Sequence, residues 1–168
     1  MKTNMNIQYL QPTDEDWEWF IPKYALTAWE SMHAHRQKLT SIEEVQANLE
    51  KQVKRFRGPD GLENIAYLAR DENGQRVGFI WLIESTSGFT AAAFAWIMCV
   101  YVEAGARGKG IGRKLMGLGE KWARERNLID IILNVSNEND VAIGLYESMG
   151  FEIETRRYIK KLEEIDKR

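Results

Sequence analysis

The sequence of 168 residues predicts a mixed α/β (α+β) fold, a mostly antiparallel sheet flanked by helices. Three observations point there. Two amphipathic periodicities, Ile42–Phe56 and Ile111–Asn127, bracket three β-rich runs joined by short turns. From Ile111 onward, helix and strand patterns alternate. Chain punctuation is lopsided: Pro12, Pro22 and Pro59 lie in the first half, whereas five glycines fall between Gly105 and Gly117. The length fits one domain over residues 1–168, long enough to bury a core without disulfides.

Ile7–Leu10 reads as an opening strand. Thr13 and Asp14 are good N-caps for a helix from Glu15, with Trp17, Phe20, Tyr24 and Leu26 on its apolar side. Pro22 predicts a kink or break in that helix. Ser41 and Glu44 have capping-box spacing, and Val45, Leu49, Val53 and Phe56 follow at helical intervals. Gly58–Gly61 ends this second helix. Ile65–Arg70 and Arg76–Glu84 are strands joined by the turn Asp71–Gly74, and Ala91–Val102 is a third antiparallel strand. Ile111, Leu115, Leu118 and Trp122 mark the buried face of the next helix. Leu128–Val135 is expected as a strand. Asp140–Met149 follows as a helix closed by Gly150, a left-handed C-cap, and Phe151–Lys160 as a last strand.

Composition excludes several roles. Lys and Arg number 23 against 25 Asp and Glu, a net charge of −2, which argues against a nucleic-acid partner. Cys99 is the single cysteine, and His33 and His35 are the two histidines, so no metal site is expected. Met1–Gln11 lacks the apolar stretch of a secretory leader. Ala91–Val102 is shorter than the ~20 residues of a membrane helix. A cytoplasmic protein with no membrane partner is the expectation.

The informative segment is Val100–Leu115, in which a strand meets a loop with Gly105, Gly108, Gly110 and Gly112 and a helix starts inside it. Glycines let backbone N–H groups approach a ligand closely, and the first N–H groups of a helix have no internal partner. A phosphate suits that place. Arg107, Lys109, Arg113 and Lys114 add positive charge there. The spacing is that of neither a P-loop nor a dinucleotide fingerprint.

Arg107-Gly108-Lys109-Gly110-Ile111-Gly112 resembles the Arg/Gln-x-x-Gly-x-Gly/Ala signature of the GCN5-related N-acetyltransferase (GNAT) superfamily. The run Asn139–Phe151 is similar to that family's Asn-x-x-Ala-x-x-Leu-Tyr-x-x-x-Gly-Phe block. The resemblance covers about the last seventy residues; ahead of Ala91 it extends only to the order of elements. It implies acetyl-CoA as donor and a splayed central parallel strand pair, Ala91–Val102 with Leu128–Val135, holding the thioester. Val100, Tyr101 and Val102 would then pair with the pantetheine as an added strand. Arg107, Gly108, Lys109, Gly110, Ile111, Gly112 and Arg113 would hold the pyrophosphate, and Asn139 would touch the pantetheine. Tyr146 falls at the general-acid position, where its hydroxyl protonates the leaving thiolate. Many relatives carry a glutamate on the strand where this chain has Trp96, Ile97, Met98 and Cys99. Glu84 is therefore the candidate base, with Glu30, His33 or a water chain as alternatives.

Two other groups have a structural and a functional reading. Cys99 is core filler or a nucleophile, and no His or Lys lies near it in sequence to activate it. Trp29, Trp81 and Trp96 are core or an acceptor wall. The expected activity is direct transfer of acetyl to a primary amine, on a small molecule, an antibiotic or a protein N-terminus. An inert acyl-CoA-binding sensor is the alternative from another class. A homodimer is an expectation from the family.

Overall fold

The computed structural model describes residues 6–162. Met1–Met5, part of the stretch read for a leader, and the last six residues of the expected domain lie outside them. Five strands form one sheet in the order β1-β2-β3-β4-β5. They are β1 (Gln8–Leu10), β2 (Asn64–Arg70), β3 (Arg76–Thr86), β4 (Ala93–Val102) and β5 (Ile131–Ile132). β1 to β4 are antiparallel neighbours, and β5 lies parallel to β4. The helices are α1 (Asp14–Glu30), α2 (Ala34–Gln37), α3 (Ile42–Arg57), α4 (Ile111–Glu125) and α5 (Asp140–Ser148).

Capping predicted from sequence is present. Thr13 and Asp16 close a capping box on α1, and Ser41 and Glu44 close one on α3. The carboxylate of Asp71 accepts from the Asn73 and Gln75 N–H groups, which fixes the β2–β3 turn.

Two apolar layers sandwich the sheet. On one face Trp17, Phe20 and Tyr24 of α1 and Val53 of α3 cover Leu68, Phe79, Trp81 and Cys99. Phe20 stacks on Phe79 with centroids 3.9 Å apart, and Trp17 meets Trp81 edge-on at 5.4 Å. On the other face α4 buries Ile111, Leu115, Met116 and Trp122 against Ile80, Leu82 and Ile97. Gly119 permits that contact, since a Cβ there would stand 3.0 Å from the Leu82 side chain.

The structure corrects five expectations. α1 runs through Pro22 unbroken. Pro22 and Glu18 are both exposed, so the Glu18 carbonyl left without a helical donor faces water. Leu26 is exposed, and Leu118 is half-buried, with Met116 taking the deeper place. The strand expected over Leu128–Val135 shrinks to the ladder Ala95↔Ile131 and Trp96↔Ile132. The strand expected over Phe151–Lys160 does not form among the described residues. Phe151 packs into the core, its ring 5.8 Å from that of Tyr146, but residues 152–162 are exposed with no ladder to join.

Candidate active site

The site is made by the parting of β4 from β5. Trp81 faces Cys99 while Leu82 faces Ile97, so Met98 is an extra residue in β4, a bulge. Ladder contact with β5 stops at Trp96, just before it. On the β5 side of β4, Ala95 donates its N–H to the Asp130 carbonyl. With one residue inserted at Met98, the alternation brings Val100 and Val102 to that same edge, beyond the reach of β5. Their side chains pack towards α4, and Tyr101 points to the α1 side.

The Gly-rich loop follows directly. Gly108 and Gly110 have φ of 73° and 80°, conformations that disfavour other residues. α1, α3 and α5 each begin with a side-chain cap, whereas α4 begins at Gly110 with none. The first turn of α4 holds no acid and carries Arg113 and Lys114, the wrong sign for the helix dipole unless an anion sits there. Arg107 Nε donates to the Val102 carbonyl at 3.0 Å and Lys109 Nζ to the Gly105 carbonyl at 3.2 Å, which fastens the loop. An open groove of about 440 Å³ runs from Gly110 along α4, beside Arg113, Lys114 and Lys121. Arg113 also donates to Ser148 Oγ, tying α4 to α5. These features fit the diphosphate of a nucleotide-bearing thioester.

Asn139 caps α5, its Oδ1 accepting from the Ala142 N–H at 3.1 Å. This cap orients the helix that carries Tyr146. Burial pushes the Tyr146 phenol up to about 12, and the nearby Cys99 thiol adds to the shift. No described residue takes a hydrogen bond from its hydroxyl. Burial likewise raises the Cys99 thiol to about 12, only partly opposed by the Thr27 hydroxyl beside it. Tyr24, also raised by burial, feels Cys99 too. Cys99 is thus enclosed on the α1 face of the sheet, with Thr27 beside it, and Tyr146 packs against the layer on the α4 face.

Other expected residues lie elsewhere. Glu84 pairs with Ala95, upstream of the bulge, and its carboxylate accepts from Arg126 Nε at 2.9 Å. That guanidinium, at the far end of α4, also pairs with Glu63. Glu84 is therefore not brought to Tyr146. His33 is exposed and caps α2. Trp81 is wholly buried core, and Trp96 packs beside Phe94. Trp29 is half-buried on α1.

Sequence reasoning missed a cluster at the end of β4. Tyr101 donates to Glu103 Oε2 at 3.0 Å, and Lys23 Nζ lies 3.1 Å from Oε1. Burial would raise the Glu103 carboxyl, but Lys23, Tyr101 and Arg107 outweigh it and hold it below the ordinary range. The readable signal was the helical spacing of Trp19, Lys23 and Thr27 on α1. Among the described residues, no group of three or more His, Cys, Asp or Glu could hold a metal ion. No described helix is long and apolar enough to cross a membrane.

Residues 15–151 match the acetyltransferase (GNAT) family, and the chain belongs to it. Mycothiol acetyltransferase of Renibacterium salmoninarum is 27% identical over 151 residues, covering 90% of this chain and 41% of that protein. Streptothricin acetyltransferase of Streptomyces lavendulae is 44% identical over 71 residues, covering 39% of this chain and 38% of that protein. The chain spans less than half the length of these curated relatives. A Pyrococcus furiosus structure superposes with a TM-score of 0.76 at 21% identity, covering 94% of this chain and 100% of that one. Ribosomal-protein-alanine N-acetyltransferase of Brucella melitensis gives a TM-score of 0.60 at 21% identity, covering 94% and 99%. Both share the mixed-sheet fold.

Proposed function

We propose that this chain transfers acetyl from acetyl-CoA to a primary amine by direct attack. One observation carries the reading. The uncapped, basic start of α4 adjoins a strand edge left open by the Met98 bulge, and no described residue takes a hydrogen bond from the Tyr146 hydroxyl on neighbouring α5. Val100 and Val102 offer backbone groups to an extended pantetheine, and the N–H groups from Gly108 to Gly112 take the diphosphate. The amine nitrogen attacks the thioester carbon, the C–N bond forms and the C–S bond breaks. The departing sulfur takes the Tyr146 proton, and the phenolate regains one from the ammonium through water. Burial raises the Cys99 thiol to about 12. The same shift disfavours acetyl-Cys99 as an intermediate, since it keeps the thiol protonated.

The loss of Glu84 to Arg126 leaves no carboxylate on the sheet as base. This favours a water chain, and it is also what favours the runner-up, an acyl-CoA sensor without turnover. Release of free thiol from acetyl-CoA across a panel of amines decides between them: release supports transfer, and tight binding without release supports the sensor. The cofactor site is tested by Gly110→Asp, which puts a negative charge where the diphosphate belongs while Asp tolerates the left-handed backbone. Calorimetry should show CoA affinity more than about tenfold weaker. Unchanged affinity would remove the cofactor assignment.

A further inference from the structure

Glu103 joins β4 to the Gly-rich loop. Its N–H donates to the Val77 carbonyl, and its own carbonyl accepts from Ala106 in the short turn Ala104–Ala106. Its side chain does not cap that turn. Residues two apart on a strand share a face, so Glu103 turns with Tyr101 towards α1. There the Tyr101 hydroxyl donates to one carboxylate oxygen, and Lys23 Nζ lies 3.1 Å from the other. The ammonium is itself held against two rings, 5.8 Å from the centres of both Trp19 and Tyr101.

A second cation stands beside the same carboxylate. Arg107 donates through Nε to the carbonyl of Val102, the residue before Glu103, and no described residue bonds its terminal nitrogens. Its charge helps to lower the Glu103 carboxyl, alongside Lys23 and Tyr101. Lys23 makes the contact with Glu103 and Arg107 does not. Without Lys23, Glu103 would hold a half-buried charge with a guanidinium close by. A carboxylate binds a guanidinium more strongly than a carbonyl does, so Arg107 would leave Val102 for Glu103.

Resting on the acetyl-CoA reading, we infer that Lys23 is a positioning residue for the donor. By occupying Glu103 it keeps Arg107 on the Val102 carbonyl, with its terminal nitrogens free for the diphosphate. Lys23 touches neither the donor nor the reacting atoms, and its effect on the donor passes through Glu103 and Arg107.

Calorimetry with CoA tests this in wild type, Lys23→Met, Lys23→Arg, Glu103→Gln and the double variant Lys23→Met with Glu103→Gln. Lys23→Met should weaken CoA binding about fivefold or more, the value of one partly exposed ion pair. Lys23→Arg should restore most of the affinity. The double variant should restore it too, since no carboxylate is left to divert Arg107. Glu103→Gln alone should bind CoA at least as well as wild type. An ion pair that merely ties α1 to β4 would lower the urea midpoint of these variants and leave affinity unmoved. Unchanged affinity in Lys23→Met, a double variant as weak as Lys23→Met, or weakened binding by Glu103→Gln each overturns the role of Lys23 and leaves acetyl transfer standing. A wild type that does not bind CoA overturns the acetyl-transfer reading, and this inference with it.

Discussion

At the level of single residues, Tyr146 and Cys99 are shifted in the same way in the two different apolar layers. Both are pushed up to about 12 by burial, so both are protonated at neutral pH. For Tyr146 that is the form a proton donor needs, and its hydroxyl has no described partner to compete for it. Tyr146→Phe keeps the ring that packs 5.8 Å from Phe151 and deletes only the donor. Turnover should fall on the order of 10²–10⁴-fold with CoA affinity nearly unchanged, measured by steady-state rates beside calorimetry. A wild-type rate in this variant would hand the proton transfer to water. The wild-type rate should also show no alkaline fall from Tyr146 itself across pH 7 to 9, because the group titrates well above that range. Tyr146 was readable in the sequence because a motif of thirteen residues frames it. Of the Lys23–Glu103–Tyr101 cluster only the helical spacing of Lys23 with Trp19 and Thr27 was readable, because the contact itself depends on how α1 lies across the end of β4.

At the level of elements, what was legible is what local chemistry decides. Ser41 and Glu44 announce α3, and the turn at Asp71–Gly74 announces the hairpin, since each depends on residues within four positions. Strands at the sheet margin were overread. Leu128–Val135 and Phe151–Lys160 have β-forming patterns, but a ladder needs a neighbour, and the Met98 bulge takes β4 away from β5 after two pairs. That bulge opens the site, and no residue type in Trp96–Cys99 foretells it. Asp16 shows how elements are joined. Its buried carboxylate receives Arg70 and Arg76 from the ends of β2 and β3 and the Thr13 N–H and hydroxyl from the α1 cap. Burial would raise its carboxyl; the Arg76 and Thr13 hydrogen bonds and the Arg70 charge outweigh this and hold it below the ordinary range. Asp16→Asn leaves two guanidinium groups facing a neutral amide. The cost should be about 3 kcal/mol, read as a lower urea midpoint at constant slope. A shift within about 0.5 kcal/mol would mean that the α1 helix is held to the hairpin by its aromatic layer alone.

At the level of the whole molecule, both apolar layers enclose weak acids that must stay protonated. Cys99 moves from 9.0 to about 12, and Tyr146 and Tyr101 from 10.0 to about 12, each first through burial; Tyr24 is raised in the same direction. Between the unfolded and folded values the folded chain holds more protons than the unfolded one, so stability falls as pH rises. The contribution of these groups is complete below about pH 9 and is lost progressively towards pH 12. Each group in that window steepens the decline by up to about 1.4 kcal/mol per pH unit. Cys99 begins first, since its unfolded value is lowest. Urea unfolding at a series of pH values should therefore show a level plateau to about pH 9 and then a steepening loss. Cys99→Ala should flatten that loss from about pH 9 to 12, most visibly between about pH 9 and 10, before the tyrosines begin to contribute. The comparison rests on slopes, so the methyl-sized space left by alanine, which lowers stability equally at every pH, does not enter it. If wild type and Cys99→Ala decline in parallel from pH 9, the thiol is not buried as described, and the ground for excluding it as a nucleophile fails with it.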